Sequence, residues 1–217
     1  MEVMEAIKAR YSVRKYAPKQ LDEESIQRIL EAGRLAPTAS NQQLNKHIIV
    51  TDEELIQQLV GACKNQKWIA TAPAVLVECA SGDRTMICGQ SARSMDGAIA
   101  MSYMTLEAVS LGMQFCWLGW FEPDKVRALL NIPEEYVVIA VAPLGYPAEP
   151  GQRSEKKSQE EVTEGQDVNR TDKSDPRKLL GGLFFFAGSL VYLTLTAFLV
   201  SMILTMSGID NPQFVEE

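Results

Sequence analysis

The sequence predicts an α/β or α+β head around one sheet, carried on a single C-terminal transmembrane helix. Three observations predict it. Helical spacing of apolar residues alternates with short, continuous apolar runs through the first 150 residues. The composition then turns polar from Pro147 to Lys178. Finally, no charged residue occurs from Leu179 to Ile209. At about 1.5 Å of rise per residue, such a stretch exceeds the roughly 30 Å hydrocarbon core of a bilayer.

The elements follow in order. Val3, Ala6 and Ile7 share one face of a first helix, which runs to Arg10. Asp22 is the N-cap of a second helix, with Glu23 and Glu24 complementing its positive end. Ile26, Ile29 and Leu30 supply its apolar stripe, and Gly33 and Pro37 end it. His47 opens the strand-like run His47-Ile48-Ile49-Val50, which gives it a structural role. Asp52 caps a helix carrying Leu55, Leu59 and Val60, and a strand of Ala74-Val-Leu-Val-Glu-Cys follows Pro73.

From Ser94 to Leu111 the chain is apolar or small on nearly every face, so that helix is surrounded by its own core or by another subunit. Phe115 to Trp120 and Val137 to Ala142 read as further buried strands. Between them Pro123 takes the first position of a helix whose inner face is Val126, Leu129 and Leu130.

The organisation is therefore a domain at 1–150, a polar tether at 151–178, a membrane helix at 179–207 and a short tail at 208–217. The tether has too few large aliphatic residues to offset its ordering entropy. Arg177 and Lys178 precede the span, while Asp210, Glu216 and Glu217 follow it. That asymmetry predicts a single-pass membrane protein with its N-terminal domain facing the cytoplasm.

A net charge of -7 argues against a nucleic-acid partner, which requires clustered Lys and Arg. The cysteines (Cys63, Cys79, Cys88 and Cys116) form no C-x-x-C pair and are joined by a single histidine, His47. That set predicts no metal site and mostly buried, reduced thiols.

Three patterns carry candidate chemistry. Arg10-Tyr11-Ser12-Val13-Arg14 offers two guanidiniums and a hydroxyl on one side of an extended stretch, suited to an anion or to a plain solvated loop. Ala36-Pro37-Thr38-Ala39-Ser40-Asn41-Gln42-Gln43 is dense in hydroxyls and amides, which can bind a heterocycle's edge or simply form turns. Pro143-Leu144-Gly145-Tyr146-Pro147 ends the last strand, and Gly145 permits close approach of a ligand or backbone.

Together with Asp96-Gly97-Ala98-Ile99-Ala100 and Cys116-Trp117-Leu118-Gly119, and in this order, these residues resemble the nitroreductase family of FMN-dependent oxidoreductases over about Met1 to Val162. The resemblance implies an α+β three-layer sandwich around a mainly antiparallel sheet. It implies a homodimer joined through the long helices, with FMN in clefts at the interface. By position, Arg10 and Ser12 would hold the phosphate and ribityl chain, and Arg14 would face the pyrimidine edge. Pro37, Thr38, Ala39, Asn41 and Gln43 would line the cleft from the partner subunit, and Leu118 and Gly119 would pass near the ring. Arg153, Lys156 or Lys157 would complete the phosphate site. Leu44-Asn45 stands where members often carry Pro-Trp, and a tether and span stand where members often send an arm around the partner.

The implied activity is hydride passage from NADH or NADPH, through FMN, to a small aromatic acceptor such as a nitroaromatic or quinone, by ping-pong exchange. Arg14 would be the catalytic residue, stabilising negative charge on the reduced ring. Two other readings are a reductive dehalogenase like iodotyrosine deiodinase and a non-catalytic, membrane-anchored dimeric scaffold. The first expects a Glu, Tyr and Lys lid that is not evident in the sequence. The second has no need of Arg10, Ser12 and Arg14 together.

Overall fold

Side-chain caps set where the main helices begin. In the computed structural model, which describes residues 1–82 and 84–163, the chain divides into two compact units, Met1–Glu155 and Lys156–Glu217. In the first unit, Asp22 accepts from the Ser25 amide and starts α2 (Glu23–Arg34), one helix after α1 (Val3–Ala9). Asp52 accepts from the Leu55 amide and starts α3 (Glu53–Ala62). Ser91 does the same for the Ser94 amide at the head of α4 (Ala92–Ser110). Pro123 opens α5 (Pro123–Leu129), where its missing N–H costs no hydrogen bond.

Four strands form one antiparallel sheet in the order β1 (Asn45–Val50), β2 (Ala74–Ser81), β4 (Tyr136–Gly145), β3 (Gln114–Phe115). β2 is buried along nearly its whole length because helices cover both faces. Alternation along it sorts the core. Val75 and Val77 pack with Ile56, Leu59, Ile69 and Val126 on the α3/α5 side, while Leu76 joins Ile29, Met101, Met104 and Phe115 under α2 and α4. The result is an α+β sandwich of three layers.

Two local expectations hold only in part. Gly33 is the penultimate residue of α2, which ends at Arg34 ahead of Pro37, and it is buried there. A Cβ there would stand 2.8 Å from Met104 Sδ and 2.9 Å from His47 Nε2, so the glycine sets how closely α2 approaches α4 and β1. The run from Phe115 to Trp120 is a buried strand only in part. Pairing with β4 continues past Phe115 through the Cys116 amide on the Pro143 carbonyl and a bridge between Leu118 and Val141, and Phe115, Cys116 and Leu118 are buried, but Trp117 and Trp120 are left in solvent. Aromatic, apolar composition mimicked burial that the lone chain does not provide.

In the second unit, Ser158 and Glu161 form a reciprocal capping box on the single turn α6 (Gln159–Val162), inside the segment read as a tether. The predicted transmembrane helix at 179–207 and the tail at 208–217 lie outside the described residues. Among the described residues no helix is long and apolar enough to cross a membrane.

Glycine positions test the packing. Gly33→Ala should destabilise the protein by about 1–3 kcal/mol through overpacking. Gly61→Ala, on an open face of α3 with nothing within 4 Å of the added Cβ, should stabilise it by roughly 0.5–1 kcal/mol. Urea midpoints moving the same way in both variants would contradict this account.

Candidate active site

The segment after α1 is pinned from beneath while its polar side chains face out. Gln114 grips it at one end: its amide nitrogen donates to the Ala9 carbonyl at 3.1 Å and its oxygen accepts from the Tyr11 amide at 3.2 Å. Tyr16 holds the other end. Its buried hydroxyl donates to the Pro143 carbonyl at 2.8 Å, and its pKa is driven far upward by burial, so it remains a neutral donor. Gly145 leaves room for this ring, since a Cβ there would meet Tyr16 at 3.1 Å and Pro73 at 2.6 Å. Between these anchors Val13 is buried, whereas Ser12 and Arg14 are exposed and Arg10 half-buried. Arg10 Nη1 donates to Ser12 Oγ at 3.4 Å. Arg153 reaches the same corner, its guanidinium 3.5 Å from the Ile7 carbonyl. Lys156 and Lys157 belong to the second unit.

Beneath this cluster sits Cys116, whose thiol is raised by burial against the lowering pull of Arg14, Ser12 and Arg10. Burial also raises Cys63 to about 11 and Cys79 to about 12, so both are protonated at neutral pH. Cys88 is exposed.

The second candidate group, Pro37, Thr38, Ala39, Asn41 and Gln43, forms a loop at the opposite end of α4. The buried carboxylate of Asp96, in the first turns of α4, accepts from the Ala39 amide at 3.0 Å. Thr38 Oγ1 accepts from the Gln43 amide at 3.1 Å. Ser40, Asn41 and Gln43 hold φ values of 54, 53 and 52°, a left-handed arrangement that costs non-glycine residues energy and persists only where the surroundings enforce it. The side chains of Asn41 and Gln43 are exposed, while the half-buried Thr38 spends its hydroxyl on the loop itself.

Within one chain the two groups do not meet. Arg10 shares a depression of about 320 Å3 with Ser102, Thr105, Leu106 and Trp117, on the C-terminal half of α4. The Asp96 turn lies roughly 14 Å away along the helix axis. Between them α4 exposes Met95, Ser102 and Tyr103, with Ala98, Ile99 and Leu106 half-covered. The expected all-round burial of this helix is thus not achieved by the single chain. Leu118 points its side chain into the α3/α5 core, so only its backbone, with exposed Gly119, can line a cleft.

His47 is half-buried in β1, its Nδ1 2.5 Å from the fully buried carboxylate of Glu78, which burial raises and His47 lowers. No group of three or more His, Cys, Asp or Glu residues suited to a metal occurs among the described residues. The anchors Gln114 and Tyr16 escaped sequence reasoning. A lone glutamine inside the apolar run 113–118 was the available signal for the first.

Known proteins are similar to this chain in sequence and fold. The model of the Nitroreductase family matches residues 7–88 and 62–146. A protein of Methanothermobacter thermautotrophicus named for NADH dehydrogenase and NAD(P)H nitroreductase is 34% identical over 70% of this chain and 82% of its own length. An FMN reductase [NAD(P)H] of Bacillus subtilis is 26% identical over 74% of this chain and 72% of its own. The crystal structure of a nitroreductase family protein from Clostridium novyi superposes with a TM-score of 0.65 at 28% identity, covering 69% of this chain and 87% of that one.

Removing the Asp96 carboxylate should release the loop it holds. Asp96→Ala should lose about 1.5–3 kcal/mol, as for a hydrogen bond to a charged group. Hydrogen exchange in the peptide spanning 37–43 should accelerate; unchanged protection there would show that the loop is held by something else.

Proposed function

This chain belongs to the nitroreductase family, and from that footing we propose that two copies form an FMN-dependent NAD(P)H oxidoreductase acting on a small aromatic acceptor such as a nitroaromatic or quinone. The observation that carries the dimeric site is the separation of the two candidate groups by α4. A two-fold axis that pairs α4 antiparallel with its copy sets the Arg10 end of one chain beside the loop 37–43 of the other. The exposed Met95, Ser102 and Tyr103 are then covered as well.

The residues fit a flavin mononucleotide. Arg10, Ser12 and Arg153 would serve as donors for a phosphate, the first two on backbone already fixed by Gln114 and Tyr16. Pinned donors need little reordering when an anion arrives. Lys156 and Lys157, the other basic residues that the resemblance offers for this role, belong to the second unit. Bound FMN would supply the hydride chemistry. Arg14 would stand toward the pyrimidine edge and hold the negative charge that develops there, as the one catalytic side chain of the reaction. Thr38, Asn41 and Gln43 of the other copy would meet the polar edges, with Pro37 and Ala39 forming the wall and the Leu118–Gly119 backbone close to the ring. NADH or NADPH and the acceptor would occupy one opening in turn, in ping-pong order. The span at 179–207 would fasten the pair to a membrane, with the heads in the cytoplasm.

The purified full chain should be yellow, and heat should release FMN from it. It should oxidise NADH or NADPH when given a quinone or nitroaromatic. Arg10→Ala should weaken FMN binding by about ten- to a hundredfold, the loss of one charge-assisted contact. A chain that takes up no FMN, or an Arg10→Ala variant that binds it as tightly as wild type, would refute the site.

A further inference from the structure

Sequence reading placed Leu118 and Gly119 against the ring, yet the geometry of the run 115–118 favours their neighbour. Side chains of extended backbone alternate between faces. Phe115 packs under α2 and α4, and Trp117 reaches α4 on that same side. Leu118 goes the other way, into the α3/α5 core. Trp117 is therefore the bulky side chain of this run that enters the depression beside Arg10.

The indole is also held in a fixed plane. Its Nε1–H donates to Thr105 Oγ1 at 3.1 Å, while the Thr105 hydroxyl donates to the Met101 carbonyl at 2.7 Å. One buried hydroxyl thus accepts and donates at once, which fixes its orientation and, through it, the ring. With the polar handle satisfied inside the fold, the 41% of Trp117 left exposed is aromatic surface. A rigid, half-open indole in the same depression as Arg10 is a platform for another flat ring.

We propose that Trp117, oriented by Thr105, is the stacking wall for the isoalloxazine of bound FMN and so a positioning residue of the site; this rests on the FMN reading above. The indole contributes offset aromatic contact rather than a proton or a charge. Thr105 acts only through the indole.

Emission of bound flavin in the purified full chain tests the assignment, because an indole in van der Waals contact quenches it and a phenyl ring does not. Wild-type protein titrated with FMN should bind it in a dark form. Trp117→Leu should bind it severalfold brighter and about tenfold more weakly. Trp117→Phe preserves an aromatic of similar shape should the leucine variant fail to fold, and should brighten the flavin while keeping most of the affinity. Thr105→Val should brighten it partly by loosening the ring. Trp120→Leu, changing the more exposed indole at 68%, should leave the flavin dark. Flavin as dark in Trp117→Phe as in wild type would overturn the assignment and leave the FMN site standing. Wild-type protein that binds no FMN would overturn the site itself.

Discussion

Helix α4 is the constraint on which the rest depends. It is too long to be covered by the chain that makes it: one side seals the sheet through Ala100, Met101, Met104 and Ala108, and the other offers apolar and small side chains to solvent. Its N-terminal end fixes the loop 37–43 through Asp96, and its C-terminal end carries Thr105 beneath Trp117 and Arg10. One element therefore positions both candidate groups and keeps them apart. The proposed second copy would bring the two groups to one ligand, and the uncovered face of α4 is where it would sit.

Preorganisation recurs at both ends. The donors of residues 10–14 are exposed or half-buried, yet their backbone is tied to a buried amide and a buried phenol. The loop 37–43 is strained at three φ angles and is held by a carboxylate and a threonine hydroxyl. In each case flexible recognition side chains stand on a backbone that cannot relax away from them. Ordering is thereby completed during folding, and less of the binding free energy is spent on it.

Much of this was legible in the sequence, for identifiable reasons. Caps at Asp22 and Asp52 and the proline at 123 are local signals, and the structure places helix starts at them. The run Ala74–Cys79 was legible because a strand covered on both faces reads as continuous apolarity. What failed was inference of burial from composition alone. Trp117 and Trp120 look like core residues in a string, but tertiary contacts leave both exposed, and the tight fit of Gly33 against Met104 and His47 is equally a tertiary matter. The grip of Gln114 on residues 9–11 joins positions more than a hundred residues apart, and no local pattern encodes such a contact.

The pair His47–Glu78 shows how the layers are registered. A carboxylate with no solvent exposure is costly unless partnered, and Glu78 has one oxygen on His47 and the other without a protein partner. Space for the pair comes from glycines on the two covering helices. A Cβ at Gly33 would crowd His47 Nε2, and one at Gly97 would stand 3.5 Å from Glu78 Cγ and 2.6 Å from Ile139 Cδ1. Close approach of α2 and α4 to the sheet is thus tied to a polar contact that only one strand register can form, His47 opposite Glu78. Gly97 follows Asp96 directly, so the register of β1 on β2 is linked through α4 to the carboxylate that holds the loop. A slip of the edge strand by one residue would turn His47 away, strand a buried carboxylate and unseat the helix end on which that loop depends.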